Sequence, residues 1–310
     1  MLEQDRPVSE VIDKVLQAEE AASAADLARL SSLGKQDLEH FQKNWTSTVV
    51  AHRIRLISQL VDLSESDFSL DFTSIFSFSI NDPDEKIRIK AIEGMELEDK
   101  QIYIKPILKS LKTDESEDVR STAAGALGKF ALMATTDDLP EAVAEDIFNA
   151  LLGVLENHRE PATVRRRALE SISIFQREPV DRYIEDYYYS DDPAIKASAI
   201  YAMGRNCKTT WLTFLIDAMQ SSNTEFRFEA ARACGELENE EAVTHLIDLM
   251  EDDDHEVQEA AIGSLGKIGG NEAKQYLQKL AKHAEPRIRE TAAAALTGLL
   301  TCEDPLSLNF

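Results

Sequence analysis

One spacing, kept through four intervals, limits what this chain can become more than any other feature. The segments TVRRRALESI, AIKASAIYAMG, EFRFEAARACG, EVQEAAIGSLG and RIRETAAAALT carry apolar anchors at Val164, Ile195, Phe226, Val257 and Ile288, and successive anchors lie 31 residues apart. A fixed period of this size marks supersecondary units that stack because none can bury its apolar face alone. Four residues after each anchor stands an alanine (Ala168, Ala199, Ala230, Ala261, Ala292), another small residue follows at seven, and a mostly apolar one at eight. Offsets of four, seven and eight trace one stripe on an α-helix. Its alanine-rich side allows the next helix to approach closely.

Three residues before the anchors stand Asp192, Asn223, Asp254 and Glu285, with Pro193 and Pro286 directly after two of them. This is the pattern of a helix N-cap followed by proline in the first turn. A second stripe, Val180, Ile184, Tyr187 and Tyr188, returns with the same period as Trp211, Leu215, Ala218 and Met219, and twice more after that. Each unit is therefore expected to be a pair of helices. Gly204, Gly235 and Gly266 fall near the end of the anchor helix and are expected to serve the chain reversal that follows.

Upstream, Val119 and Ile87 carry weaker copies of the signature, and His52 begins a fainter one. The interval from Val119 to Val164 is longer than the period, so an insertion is expected around ALMATTDDLPEAVAEDIF. It is read as lengthening a helix that begins near Pro140 and is capped by Asp138. The domain reading is a repeat array over 46–300, preceded by residues 1–45 as a helical cap or mobile arm and followed by a tail over 301–310.

The apolar anchor, the basic or polar residue after it, the alanine at four and the small-apolar-Gly ending resemble the short HEAT-like repeats of the phycobilin-lyase type. Over residues 52–300 the chain looks like a bacterial HEAT-repeat protein. The resemblance implies an all-α, right-handed α-solenoid of HEAT-like two-helix repeats, with the second helices on the concave face and a binding platform as the usual role.

Relatives of this architecture include enzymes, whose chemistry depends on particular residues. Deoxyhypusine hydroxylase holds two irons with several His-Glu pairs, whereas this chain has only His255-Glu256. A single pair does not make such a site. The six histidines are scattered, without a G-x-S-x-G elbow or an H-E-x-x-H motif, and GKIGGNEA has the wrong spacing for a phosphate loop. No catalytic residue, metal ligand or cofactor is assigned. A lyase-type or other small-molecule enzyme on the same fold is kept as the alternative to a protein-protein scaffold.

Asp and Glu outnumber Lys and Arg by 57 to 33, a net charge of −24, so the average surface repels nucleic acid and anionic lipid. A basic or neutral protein partner is expected. Cys207, Cys234 and Cys302 form no C-x-x-C spacing and suit a reducing, cytoplasmic setting. No apolar run reaches membrane-spanning length.

Candidate binding residues follow from what the repeat leaves over. The position after each anchor is Arg88, Arg120, Arg165, Lys196, Arg227, Gln258 or Arg289. This ladder is read either as pairing with the capping acids or with neighbouring repeats, or as a basic strip for an acidic ligand. Arg166 and Arg167 exceed what the ladder requires. Tyr189 is left over once Tyr187 and Tyr188 fill core positions. In the tail, Leu306, Leu308 and Phe310 alternate with small polar residues, which suits an extended peptide entering pockets on a partner. PLSLNF also resembles peptides that bind the bacterial sliding clamp, with Pro305 where those carry glutamine.

Overall fold

A computed structural model describes residues 6–18, 20–136 and 138–303, the side chains of 302 and 303 excepted. No strand occurs among the described residues. The chain divides into two compact units, Met1–Ser171 and Ile172–Phe310.

The first unit runs α1 (Val8–Gln17), α2 (Ala24–Ala28), α3 (Lys35–Trp45), α4 (Val50–Ser66), α5 (Thr73–Ser79), α6 (Glu85–Glu96), α7 (Ile104–Thr113), α8 (Glu117–Thr135), α9 (Glu141–Glu156) and α10 (Ala162–Ile172), whose last turn crosses the division. The second runs α11 (Glu178–Tyr188), α12 (Pro193–Asn206), α13 (Leu212–Met219), α14 (Thr224–Leu237), α15 (Val243–Asp248), α16 (His255–Ile268), α17 (Gly270–Leu280) and α18 (Pro286–Glu303). Each unit is a stack of two-helix repeats in which the anchor helices lie side by side, α4, α6 and α8 in the first and α12, α14, α16 and α18 in the second.

The caps form as the spacing requires. The side chains of Asp84, Asp192, Asn223 and Asp254 accept backbone N–H groups of the first turns of α6, α12, α14 and α16, and Ser116 does so for α8. Each such cap stabilises its helix by about 1 kcal/mol. Two residues earlier the backbone is braced again. Asp82, Asp114 and Asp252 accept the N–H of Asp84, Ser116 and Asp254, and Ser190 and Ser221 accept those of Asp192 and Asn223.

All five alanines of the stripe are fully buried, as are Val164 and Val257; Ile195 is half-buried. On the partner helices Val180, Ile184, Leu215, Leu246 and Leu277 are fully buried too.

The glycines do something other than turn the chain. Gly204, Gly235 and Gly266 lie inside α12, α14 and α16, and a Cβ on them would stand 2.8 Å from Ala233 Cα, 2.5 Å from Ser264 Oγ and 2.9 Å from Ala295 Cβ. Each of these glycines, nine residues past its anchor, receives the small residue seven past the next anchor. Gly128 of α8 receives Ser171 in the same manner. The seated serines then donate to backbone carbonyls of the helix below, Ser171 to Ala124 O at 2.8 Å and Ser264 to Ala231 O at 2.7 Å. The reversals themselves use positive-φ residues farther on at the 31-residue period, Cys207 (φ 55°) and Glu238 (φ 50°) in the left-handed helical conformation and Gly269 (φ 69°) in another.

The insertion lengthens both helices of its repeat, α8 to 19 residues and α9 to 16. Pro140, not Asp138, occupies the N-cap of α9, and no side chain caps it. Asp138 instead accepts a hydrogen bond from Thr136 Oγ1. Before the repeats, α1 buries Val11, Ile12, Val15 and Leu16, and α3 buries Phe41 and Trp45. Asn44 Nδ2 donates to Asp13 Oδ1 at 2.8 Å, and His40 Nε2 lies 2.8 Å from the same oxygen.

Candidate interaction surface

The basic ladder is committed to the stack. Arg88 grips Asp114 with Nε and Nη2 at 2.8 and 2.7 Å, while its Nη1 donates to the carbonyls of Asp82 and Pro83. Arg227 repeats the arrangement on Asp252 at 2.6 and 2.9 Å, with Nη1 on Ser221 O. A fork on a carboxylate is both strong and directional. The hydrogen bonds from Arg227 hold the Asp252 carboxyl below the usual carboxylate range. Arg120 reaches Glu160 at 2.6 Å, and Arg53 of α4 reaches Asp82 at 2.6 Å.

Where a rung has an acid, at Arg88, Arg120 and Arg227, it belongs to the loop of the following repeat rather than to the arginine's own helix cap. Arg165 donates to Glu160 O, and Arg289 to His283 O and Ala284 O. At Lys196 the rung has no acid. Its ammonium sits 4.3 Å over the Tyr188 ring and 5.5 Å from that of Phe226.

Of the other two arginines, Arg166 is half-buried, and Arg167 is exposed with Nη1 2.8 Å from Glu170. The open face of the anchor helices carries similar close pairs, Lys90–Glu93 and Lys129–Asp99 in the first unit and Arg232–Glu229 and Lys267–Glu236 in the second. Exposed pairs of this kind contribute about 0–1 kcal/mol each. Between α12 and α14 they rim a cleft of about 90 Å³ over Gly204 and Ala233. In the first unit an open groove of about 590 Å³ is lined by Leu38 of α3, Phe78 of α5 and Ile102. At its edge Asp71 is held at about 2. Burial opposes its ionisation, but hydrogen bonds from Lys100 and Thr73 outweigh that.

Tyr187 and Tyr188 fill core positions, and Tyr189 stands 67% exposed. Its ring meets Tyr188 edge-on at 5.5 Å and Phe214 at 6.3 Å, while Tyr188 and Phe214 meet at 5.2 Å. The Tyr188 hydroxyl donates to Asp217 Oδ2 at 2.8 Å. Tyr189 thus rests against an ordered aromatic wall. Phe214 belongs to neither apolar stripe of the repeat, so the spacing offered no sign of it.

Of the free cysteines, Cys207 is exposed, and partial burial raises its thiol. Cys234 is fully buried, and burial pushes its thiol up to about 12. His255 opens α16, exposed, with Arg287 3.0 Å from its Nδ1. No cluster of metal-binding side chains occurs among the described residues. No helix among them is long and apolar enough to cross a membrane. Leu306, Leu308 and Phe310 lie outside the described residues.

A HEAT-repeat family model matches residues 74–147, 184–261 and 212–297. No curated protein matches. Among solved structures, yeast importin-β (Kap95p) is 12% identical over 97% of this chain with a TM-score of 0.57, and this chain spans 47% of its length. Kap95p bound to RanGDP is 13% identical over 96% of this chain and 46% of that one, with a TM-score of 0.53. The CpcE–CpcF complex of phycocyanin lyase from Nostoc sp. PCC7120 is 12% identical over 91% of this chain and 99% of that one, with a TM-score of 0.54. Identities this low establish a shared fold and nothing finer.

Proposed function

The chain belongs to the HEAT-repeat family, and on that premise we propose that it is a non-enzymatic platform that binds another protein in a reducing, cytoplasmic setting. The observation that carries this reading is Tyr189, a large aromatic ring held in solvent by its neighbours at a position the fold does not need filled. The recurring arginines are spent inside the stack, Arg88, Arg120 and Arg227 on ion pairs and Arg165 and Arg289 on backbone carbonyls, so recognition falls to residues outside the repeat pattern. Arg166 and Arg167, beside the insertion, are the second such element. The net charge of −24 selects a basic or neutral protein and disfavours nucleic acid and anionic membranes. Kap95p binds a protein, RanGDP, on the same architecture. Helices α1–α3 are read as a cap over the first repeat.

The test is isolation of the full chain under native conditions, with mass spectrometry of whatever stays with it through gel filtration. A stoichiometric protein partner, weakened by Arg166→Glu with Arg167→Glu while the helical spectrum is unchanged, supports the platform. The fold shared with the Nostoc lyase complex keeps a second outcome in view. A chain that instead retains an open-chain tetrapyrrole and no protein would sink the platform in favour of a lyase-type enzyme.

A further inference from the structure

The chain leaves α11 through Tyr189 and reaches α12 through Ser190, Asp191 and Asp192. One, two and three periods later the position of Tyr189 is taken by Gln220, Glu251 and Lys282, all exposed and all polar. One period earlier stands His158, also exposed, so the repeat asks for a water-loving residue here, and this copy supplies a tyrosine ring instead. That ring is braced on one side by Tyr188 and Phe214, so binding would not have to immobilise it.

Its surroundings are anionic. Glu185 and Asp186 lie one turn before it and Asp191 two residues after, all exposed, and their side chains make no ion pair among the described residues. Asp192 spends its carboxylate on the cap of α12, and Asp217 accepts the Tyr188 hydroxyl. Of the cations nearby, Lys196 lies over the Tyr188 and Phe226 rings and keeps its charge, Arg182 lies two turns back on α11, and the three carboxylates outnumber them.

An exposed aromatic face among carboxylates attracts a cation twice, through the ring quadrupole and through charge. Arginine suits the pair better than lysine. Its flat guanidinium stacks on a ring while its edge donors reach carboxylates, and it sheds water more readily than an ammonium.

We propose that the Tyr189 patch is the docking site for an arginine side chain in an exposed, basic segment of a partner protein. This rests on the platform reading and names the chemistry of its partner.

The experiment uses the full chain and three dye-labelled Gly-Ser peptides bearing arginines, lysines or glutamates at the same positions. Binding is followed by fluorescence anisotropy at two ionic strengths. The arginine peptide should bind tightest and the glutamate peptide not at all. Tyr189→Ala should weaken the arginine peptide about three- to thirtyfold, the range expected for a lost cation–π contact. Tyr189→Phe, which keeps the ring, should stay within about twofold. Phe68→Ala, which removes a ring 85% exposed in the first unit, should change nothing.

If Tyr189→Ala binds the arginine peptide as the unchanged chain does, the proposal is overturned. It is equally overturned if arginine and lysine peptides bind alike and both dissociate at the higher ionic strength, because the acidic surface alone would then be responsible. A protein partner that still copurifies with Tyr189→Ala undiminished would remove this site and leave the platform standing. Discrimination by Tyr189 without any copurifying protein would do the reverse.

Discussion

Adding one methyl group at Gly204 should have the opposite sign of effect from adding it at Gly263, although both glycines lie inside helices of the second unit. In an exposed helix interior, alanine is favoured over glycine by about 1 kcal/mol. Gly263 of α16 has nothing within 4 Å of a built Cβ, so Gly263→Ala should stabilise by about 0.5–1 kcal/mol. At Gly204 the new methyl would stand 2.8 Å from both Ala233 Cα and Ala233 Cβ, where ordinary contact begins at 3.4 Å. The obstacle at Cα is backbone, which cannot rotate aside, so α12 and α14 must separate by more than half an ångström. A gap of that size forfeits roughly a quarter to a half of each dispersion contact along the seam. Overpacking costs about 1–3 kcal/mol, and subtracting the propensity gain of about 1 kcal/mol leaves a net loss of up to about 2 kcal/mol. Urea unfolding followed by circular dichroism measures both variants against the parent, with the transition midpoint as the readout because repeat arrays need not unfold in two states. Should Gly204→Ala raise the midpoint as Gly263→Ala does, the glycine is not a contact residue and the account of the seam is wrong.

Ala230→Arg puts a charge at a fully buried position between stacked helices and should cost several kcal/mol; a variant that melts like the parent would show that the repeat register is misassigned. Asp252→Asn should cost about 2–3 kcal/mol at neutral pH by leaving the Arg227 fork half-satisfied, and adding Arg227→Met should recover much of it, since the amide oxygen still accepts the Asp254 N–H. Because the Asp252 carboxyl is held below its ordinary range, its contribution is complete above that range and fades as pH falls through it toward the folded value, so Asp252→Asn should also flatten the acid limb of the stability profile. Glu238 sits in the left-handed conformation at φ 50°, which glycine adopts without strain, and Glu238→Gly should raise the midpoint by the equivalent of about 0.5–1 kcal/mol; a fall would mean the left-handed residue is not strained.

The periodicity, the caps and the buried stripes were readable because each depends on residues within one helix or one turn. Val164, Ala199, Asp192 and Ile184 announce their roles by offset alone. Contacts between repeats were harder. Gly235 near a helix end looks like a turn residue until it is paired with Ser264, which lies in a different helix and fixes how near that helix comes. The arginine ladder was visible, and pairing with a neighbouring repeat was one of its readings, but offset alone pointed to the capping acids, whereas Asp114 and Asp252 stand two residues before the caps and serve the preceding repeat. Tyr189 stood out by subtraction once Tyr187 and Tyr188 were placed in the core. The wall behind it did not, since Phe214 reaches Tyr188 and Tyr189 across helices that no offset connects.

The rungs make the repeats unequal as building blocks. A repeat carrying Arg88 or Arg227 depends on an acid that only its successor supplies, so it cannot stand last in a shortened array without leaving a guanidinium unmatched. The repeat carrying Lys196 satisfies its ammonium partly on Tyr188, a ring of its own, and its loop and the next offer Ser190 and Ser221 where others offer aspartate. Shuffled or truncated arrays should therefore tolerate an end at the lysine repeat better than one at an arginine repeat. Interchangeability in this chain is graded by which side of a joint supplies the charge.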